Sequence, residues 1–480
     1  MKLEQNHIID KVYLDVNTKD VNQANSIKNN INLFMQNQLF PQLEELFNEY
    51  DNANEIIRFD SVNINFSIDN WENEEAIKLA FKSKIISKLK EELEHRKSEK
   101  NLAEINTQNV ESISSEENNE NTFLFFLENG FLPWFGKEEY IVEFITQEEF
   151  WISELNNEVF LLKLKDILSR NNTIIQRFVL QFQNEIVVSF LEKINAENTN
   201  FKKDLLVLLN VLDKNTKNMF LEFFIQISLF DDKEKWIATL QNILKVISEN
   251  KKPLNEKAGF HFLNKFKKIV QKIAKVMGDE DLDLFDSKID LSILKDTLPT
   301  LKNEKNDHLF FEQKTSEIAI KNAGLIIIHP FINSFFKNLD FLDSTGSIKI
   351  DLIELAVQSL HFIGTGNNDF FEGNLILEKF LCGIPLKMPN QKESLLNDKI
   401  KDEANALLSE LIKNWSELKN TSPNGLREMF FYRDGKLIQN ENEFKIIIER
   451  KAQDVLIEKL PWNISVVKLP WKKELLFIDW

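Results

Sequence analysis

Proline and glycine restrict the folds that the last third of this chain can adopt. Residues 322–480 hold most of the glycines and prolines of the 480-residue sequence, including two Leu-Pro-Trp units at 460–462 and 469–471. Proline fixes the backbone angle φ and has no amide hydrogen, and a buried tryptophan needs an acceptor for its indole N–H. We therefore expect a closely packed domain of helices and strands here. The two units are predicted to flank a strand, either as core packing or with one ring as an interface anchor.

Five short motifs follow one another in this region. They read Asn-Ala-Gly-Leu-Ile-Ile-Ile-His-Pro-Phe (322–331), Leu-Cys-Gly-Ile-Pro-Leu (381–386), Leu-Lys-Asn-Thr-Ser-Pro-Asn-Gly-Leu-Arg-Glu (418–428), Leu-Pro-Trp-Asn-Ile (460–464) and Lys-Leu-Pro-Trp (468–471). Three patches lie upstream, at 8–16, 56–66 and 126–135, the last reading Phe-Leu-Glu-Asn-Gly-Phe-Leu-Pro-Trp-Phe. From these motifs we select candidate interaction or structural residues, which are Pro133, Trp134, His329, Pro330, Cys382, Gly383, Pro385, Pro423, Gly425, Arg427, Pro461, Trp462, Pro470, Trp471 and Trp480.

In their order and number, these motifs resemble the tape measure protein family of contractile injection systems, the phage-tail-like particles of bacteria. The resemblance is strongest over the last third and extends to the upstream patches. It implies a non-enzymatic assembly factor associated with control of tube and sheath length, with tube, baseplate or cap proteins as partners. The alternative is a globular adaptor or assembly chaperone at the baseplate or cap with no ruler role. Self-association is left open.

The predicted elements are incompatible with one straight ruler. A helix rises about 1.5 Å per residue, so 480 residues in one helix would span about 720 Å. Strand patterns at both ends and the absence of sustained heptads exclude such a helix. Only residues 122–300 could extend, to about 270 Å. Length would then be set by several copies acting together or indirectly, through contacts at the baseplate or cap.

Composition excludes several functional classes. The net charge of −17 argues against nucleic-acid binding, because neutralising phosphates requires a basic surface. The single cysteine, Cys382, excludes an intrachain disulfide and a thiolate-rich metal site, and we expect it to be buried. No stretch approaches the roughly 18 apolar residues of a membrane span, and the first residues lack the apolar segment of a secretion signal. We expect the protein to act in the cytoplasm during assembly; retention in the finished particle is left open.

The hydrophobic pattern predicts a predominantly helical α+β protein. Residues 1–97 are predicted to form a small β-α-β-α domain, with strands at 8–16 and 56–66 and a helix that Pro41 interrupts. Residues 98–121 are polar and predict a flexible linker. Residues 122–300 predict a helical domain, with helices near 139–170, 172–195, 201–229, 233–249 and 254–277. A linker at 301–321 would lead to the mixed domain at 322–480, with a hairpin turn at Asp434-Gly435.

The residues predict no catalytic, cofactor or metal site. No two of the six histidines share metal-ligand spacing on one element. His329 precedes Pro330, which favours an extended backbone, and we expect both His329 and His361 to be hydrogen-bonded histidines in the interior. The acidic stretch at 278–286 lacks the spacing of an EF-hand and predicts a solvated loop. For Arg427, the pattern leaves two roles open, an ion pair with Glu428 or binding of a partner's carboxylate.

Overall fold

The computed structural model describes residues 110–195, 201–230 and 316–480, except 211, 419, 441 and 442. Nearer the start it describes residues 7–13, 15, 17–18, 20–51, 55–59, 62, 79, 82–91 and 94. The chain divides into two units, Met1–Asn121 and Thr122–Trp480, which are described separately. The predictions for residues 98–109 and 231–315 lie outside the described residues. The described part is mainly helical with two small sheets, which confirms the predicted fold class.

In the first unit, a helix pair precedes a two-stranded sheet. Helices α1 (Val21–Phe34) and α2 (Phe40–Tyr50) are separated by a π-helical turn (Met35–Leu39), and Pro41 lies in the first turn of α2. The predicted interruption near Pro41 is therefore confirmed. Strand β1 (Glu55–Phe59) follows, residues 82–91 form helix α3, and β2 (Val110–Ser114) pairs antiparallel with β1.

Two sequence predictions are wrong in this unit. Residues 8–13 and 15, the described residues of the strand predicted at 8–16, form no strand. Residues 110–121, which the sequence assigns to the linker, form β2 and the first turns of the next helix, α4 (Ser115–Asn129). Two local features account for this difference. Ile113 is buried in β2, and the Ser114 hydroxyl accepts a hydrogen bond from the Glu117 amide at 3.0 Å, which caps α4.

Short helices form the first half of the second unit, which we call the helical module (residues 122–230). After α4 they are α5 (Glu138–Thr146), α6 (Glu148–Asn156), α7 (Glu158–Arg170), α8 (Asn172–Gln181), α9 (Asn184–Ile194), α10 (Phe201–Leu209) and α11 (Lys214–Leu229). The side chains of Asn157, Asn171 and Asp213 each accept an amide hydrogen bond at the start of a helix. The caps at Asn157 and Asp213 divide the helices predicted at 139–170 and 201–229, because an N-cap fixes a non-helical residue before each new helix, while Asn171 lies at the predicted boundary between 170 and 172.

The C-terminal module (residues 316–480) has a sheet with helices on one face. Its α-helices are α12 (His329–Asn338), α13 (Ile353–Thr365), α14 (Ile376–Cys382), α15 (Asp398–Asn414) and α16 (Pro423–Leu426), the last followed by a π-helical turn (Arg427–Phe431). Its 3-10 helices are Ala323–Ile328, Ile350–Leu352, Glu372–Asn374, Ser416–Leu418 and Ala452–Lys459. Its strands are β3 (Ser316–Ile320), β4 (Gly435–Asn440), β5 (Glu443–Ile448), β6 (Val466–Val467) and β7 (Leu476–Asp479).

The strand order is β3-β4-β5-β7-β6, and only the β5–β7 pair is parallel. Ile318, Leu437 and Ile446 lie opposite one another and are buried, so one face of the sheet covers the core. Strand β3 occupies residues predicted to be a linker; alternate burial of Ile318 and Ile320 explains why it joins the sheet.

The predicted hairpin turn at Asp434-Gly435 is wrong. Gly435 is instead the first residue of β4, and the connection between β4 and β5 falls at 441–442. A Cβ atom at Gly435 would lie 2.6 Å from the Cβ of Ala323 and 2.8 Å from the Ile447 carbonyl oxygen. Close packing, rather than a turn, therefore requires glycine at this position. Among the helices described, none is both long and apolar enough to cross a membrane.

Candidate functional site

The helical module and the C-terminal module meet at a polar boundary, which we call the seam. Each module has its own apolar core. Phe131 of the helical module packs into the C-terminal core, and Phe371 of the C-terminal module packs into the helical core, 4.8 Å from the ring of Phe126. Phe125 also packs against the C-terminal core, and charged and amide side chains make further contacts across the seam, among them the fully buried Arg177.

Arg177 lies on α8 and is fully buried. Its Nη1 donates to the carbonyl of Leu127 at 2.6 Å, its Nε donates to Oε1 of Glu372 at 3.2 Å, and its Nη2 donates to the carbonyl of Lys387. Gly130, which ends α4 with a left-handed φ of 78°, makes room for this guanidinium. A Cβ atom there would lie 2.6 Å from Nη2 of Arg177. Both the left-handed backbone and this contact therefore require glycine.

A second buried cation completes the seam network. Lys379 on α14 donates from Nζ to Oε1 of Glu372 at 2.9 Å and to the carbonyl of Leu386 at 3.3 Å. Burial lowers the pKa of Lys379, and the Glu372 carboxylate opposes that shift. Burial raises the pKa of Glu354, whose carboxylate accepts from the Gln391 amide and side chain. Two buried cations therefore share the buried carboxylate of Glu372, with the partly buried Glu354 nearby, in an interior where unpaired charge is costly.

Residues 384–397, between α14 and α15, form an irregular segment that we call the strap. Side chains from both modules hold its backbone. Arg177 and Gln181 of the helical module bind the carbonyls of Lys387 and Asn390, the latter at 2.5 Å. Of the C-terminal residues, Gln358 donates to the Glu393 carbonyl at 3.1 Å and accepts from the Leu395 amide at 2.7 Å. Because the strap lacks regular structure, these side chains supply the partners that its buried backbone groups need.

An open groove of about 610 Å³ borders the strap. It is lined by the turn between α8 and α9, the first turn of α11 and residues 392–394. Its side chains carry both signs of charge, and Lys214 forms an ion pair with Glu393 across the seam. In the part of the chain that the structure describes, no three His, Cys, Asp or Glu residues are grouped to hold a metal ion.

The tryptophans of the two Leu-Pro-Trp units form hydrogen bonds with backbone carbonyls of the C-terminal module. The indole Nε1 of Trp462 donates to the Ile327 carbonyl at 3.1 Å, and that of Trp471 donates to the Leu381 carbonyl at 2.8 Å. Pro461 and Pro470 are exposed, and the two units flank β6. Trp480 donates to Oδ2 of Asp454 at 3.1 Å. These contacts favour core packing, the first of the two roles that the sequence left open.

Arg427 binds backbone carbonyls at the end of a helix. Its guanidinium donates to the carbonyls of Ile363 at 2.9 Å and Phe362 at 3.3 Å, near the C-terminus of α13, and to Oδ1 of Asn424 at 2.7 Å. An ion pair with Glu428 is therefore the wrong prediction, since cations at a helix C-terminus satisfy its last carbonyls. Within the same motif, Pro423 opens α16, and the Gly425 amide donates to the hydroxyl of Ser422, its N-cap, at 3.1 Å.

The remaining candidates occupy separate places. His329 has an α-helical backbone (φ −49°, ψ −36°), not the predicted extended one, because it begins α12 with Pro330 in its first turn. Its Nε2 lies 2.9 Å from the Asn463 carbonyl, and burial lowers its pKa. Cys382 is buried at the end of α14, and burial raises its thiol pKa, as the packing prediction expects.

The last four candidates lie in two places, two of them at the strap and two in the turn after α4. Gly383 ends α14, and the carbonyl of Pro385 in the strap accepts from the Met388 amide at 3.0 Å. Pro133 and Trp134 lie in the turn between α4 and α5, where the Trp134 ring is 44% exposed.

Sequence reasoning missed the seam network. Arg177, Gln181, Gln358, Glu372 and Lys379 were not among the candidates, although each is buried. One signal was available: Glu378 and Lys379 interrupt an apolar run from 375 to 382, and charged residues inside such a run are buried only when they are paired.

The arrangement holds two modules together through buried charge pairs and the strap. A family model described as contractile injection system tape measure protein matches residues 6–480. The chain belongs to this family. No curated protein and no solved structure matches the chain. Membership in the tape measure family gives the chain a structural, length-determining role among other components of a contractile particle.

Proposed function

We propose that the helical module and the C-terminal module serve length determination as folded bodies that bind other particle components, the tube, baseplate or cap proteins. The observation that carries this proposal is the packing of α5 to α11 around one core, fastened to the C-terminal module through Arg177. The chain would act without catalysis, in the cytoplasm, while the particle assembles. Its acidic balance gives no reason to add nucleic acid to the partners.

A straight span would require this core to open. Residues 138–229 in one continuous helix would reach about 140 Å, whereas each of the seven helices spans about 14–24 Å. Extending them would expose Trp151, Phe160, Phe178 and Phe190, which lie fully buried in the helical core. Burying a large apolar side chain contributes roughly 1.5–3 kcal/mol, so extension carries a large cost. The folded body is the state that this sequence favours.

Trp134 is the contact residue that we propose for a particle component. The turn that carries it is held at both sides, since Phe131 packs into the C-terminal core and Leu132 against the helical core. The Gly136 amide donates to the Pro133 carbonyl at 2.9 Å and closes the turn. A tryptophan presented on a rigid turn loses little entropy on binding, and tryptophan is enriched at binding hot spots.

The test is an in-frame second copy of residues 138–230, inserted after Phe230, with particle length measured by negative-stain electron microscopy. A folded body predicts an unchanged length distribution, because the added helices pack on themselves. Particles longer by about 140 Å would instead show that the helices act end to end and would refute the proposal. The comparison uses cells in which immunoblotting shows intact duplicated protein at wild-type amounts.

A further inference from the structure

We propose that the strap is a latch: the helical module and the C-terminal module separate at the seam while both cores stay folded. The strap bonds of Arg177 and Gln181 break in this opening, together with the bonds that join Arg177 to Glu372, Asn374 to Glu138 and Lys214 to Glu393. This inference goes beyond the proposed function, because it concerns an internal movement of the protein whatever its partner.

Each module can keep its core when the seam opens. Among the described residues of the two cores, only Phe125, Phe131 and Phe371 pack across from one module into the other. The helical core is otherwise built from α4 to α11, and the C-terminal core from residues after Ser316. A boundary with so few shared apolar side chains opens at a lower free energy than either core unfolds.

The buried charges at the seam fix the relative position of the two modules more than they add to the free energy that holds the modules together. Arg177, Glu372 and Lys379 are all fully buried, and their desolvation offsets much of the Coulombic attraction between them. When the modules part, these groups regain water. The seam therefore fixes how the modules fit, while it adds less to the free energy that holds them than apolar packing of the same area would.

The strap decides whether the seam is closed. Arg177 and Gln181 reach across from α8 to two of its carbonyls, while Lys379, Gln358 and Glu354 hold it to the C-terminal module. The modules cannot part until the first two side chains release the strap. The groove borders the strap at residues 392–394, next to the carbonyls that Arg177 and Gln181 bind.

Hydrogen exchange of the full chain at increasing urea tests the latch. Seam opening leaves the hydrogen bonds of the Gln391 and Leu395 amides to Glu354 and Gln358 in place but exposes them to water, so in the wild type we expect these amides to exchange at lower urea than the amides of Phe190 and Ile446. Arg177→Met should accelerate strap exchange by about tenfold or more, since it removes buried charged hydrogen bonds, and the strap amides should still exchange at lower urea than those of Phe190 and Ile446.

Two further variants complete the experiment. Gln181→Ala removes only the bond to Asn390 and should accelerate strap exchange by less than Arg177→Met does. Arg170→Met removes exposed ion pairs with Glu128 and Asp166 and should change nothing at the strap. Exchange of strap and core amides in one common step at every urea concentration would overturn the proposal, as would strap exchange that Arg177→Met leaves unchanged. If Arg177→Met fails to fold, Gln181→Ala is judged by the same criterion.

Discussion

Individual side chains at closely packed positions carry the sharpest predictions. Gly324 lies in the 3-10 helix Ala323–Ile328, and a Cβ atom there would overlap the carbonyl oxygen of Phe430. Gly324→Ala should therefore lower the free energy of unfolding by about 3 kcal/mol, because the backbone around Phe430 must move. Urea denaturation of the full chain measures this change.

Gly346→Ala is the matched control for that substitution. Gly346 has a left-handed φ of 82°, but a Cβ atom at this position would have nothing within 4 Å. The substitution adds only backbone strain, about 1 kcal/mol. If the two substitutions lower the free energy of unfolding equally, the backbone around Gly324 moves to accommodate the added Cβ atom at little cost.

Trp134 carries the prediction for particle binding. Trp134→Ala should lower the yield of assembled particles severalfold, because an anchoring tryptophan typically contributes about 2 kcal/mol or more at an interface. The melting temperature should stay close to that of the wild type, since the ring is 44% exposed. Particle counts by electron microscopy give the readout. Ile350→Ala removes a side chain that is 76% exposed and serves as the control; an equal loss there would contradict a specific role of Trp134.

Glu222 makes stability depend on pH. Burial raises its pKa from 4.5 to about 7, opposed by a hydrogen bond from Gln176. Between these values the folded protein holds a proton that the unfolded chain releases, so stability falls as pH rises through this window. Glu222→Gln should raise the free energy of unfolding by roughly 1–2 kcal/mol at pH 8 and change it little below pH 4.5. Urea unfolding at both pH values measures it; equal effects at both would be the contrary result.

At the scale of elements, helix α13 depends on the cation at its end. Arg427→Met removes hydrogen bonds to the Ile363 and Phe362 carbonyls, and should lower the free energy of unfolding by about 2–3 kcal/mol. Arg450→Met, which removes an exposed ion pair with Asp479, should cost less than about 1 kcal/mol. Both are measured by urea denaturation, and similar losses would mean that Arg427 does not hold the helix.

Elements with a strong local signal were predictable from the sequence. The hydrophobic pattern predicts a helix at 350–362 and strands at 444–449 and 475–478, and the structure has a helix at Ile353–Thr365 and strands at Glu443–Ile448 and Leu476–Asp479. Strand β3 and the strand at 110–114 were not, because a five-residue strand takes its stability from the strand beside it. Pairing with β4 and β1 decides both, and local pattern contains neither partner.

The candidate site was predictable only where a motif marked it. The Trp462 and Trp471 contacts follow from proline and tryptophan chemistry. The seam does not, because Arg177 and Glu372 lie 195 positions apart and neither has a distinctive neighbour. Only the three-dimensional packing of two modules brings such residues together.

At the scale of the whole molecule, excess negative charge opposes folding. The net charge of −17 produces self-repulsion that salt screens, with a Debye length near 10 Å at about 0.1 M. The melting temperature should rise by a few degrees between about 20 mM and about 200 mM NaCl. The buried ions of the seam respond much less, because water and salt do not reach them. Scanning fluorimetry measures the melting temperature at each salt concentration. A melting temperature that falls with salt would mean that attraction within surface ion pairs outweighs the repulsion.

Cys382 gives the chain a practical property. It is the only cysteine, it is buried, and its raised pKa disfavours the thiolate that reacts with maleimides. We therefore expect maleimide dyes not to label the Cys382 thiol while the C-terminal module is folded. If one exposed residue, such as Ile350, is replaced by cysteine, a maleimide dye should label that thiol and leave Cys382 unlabelled. Such a molecule could be followed, one dye at a time, into a growing particle.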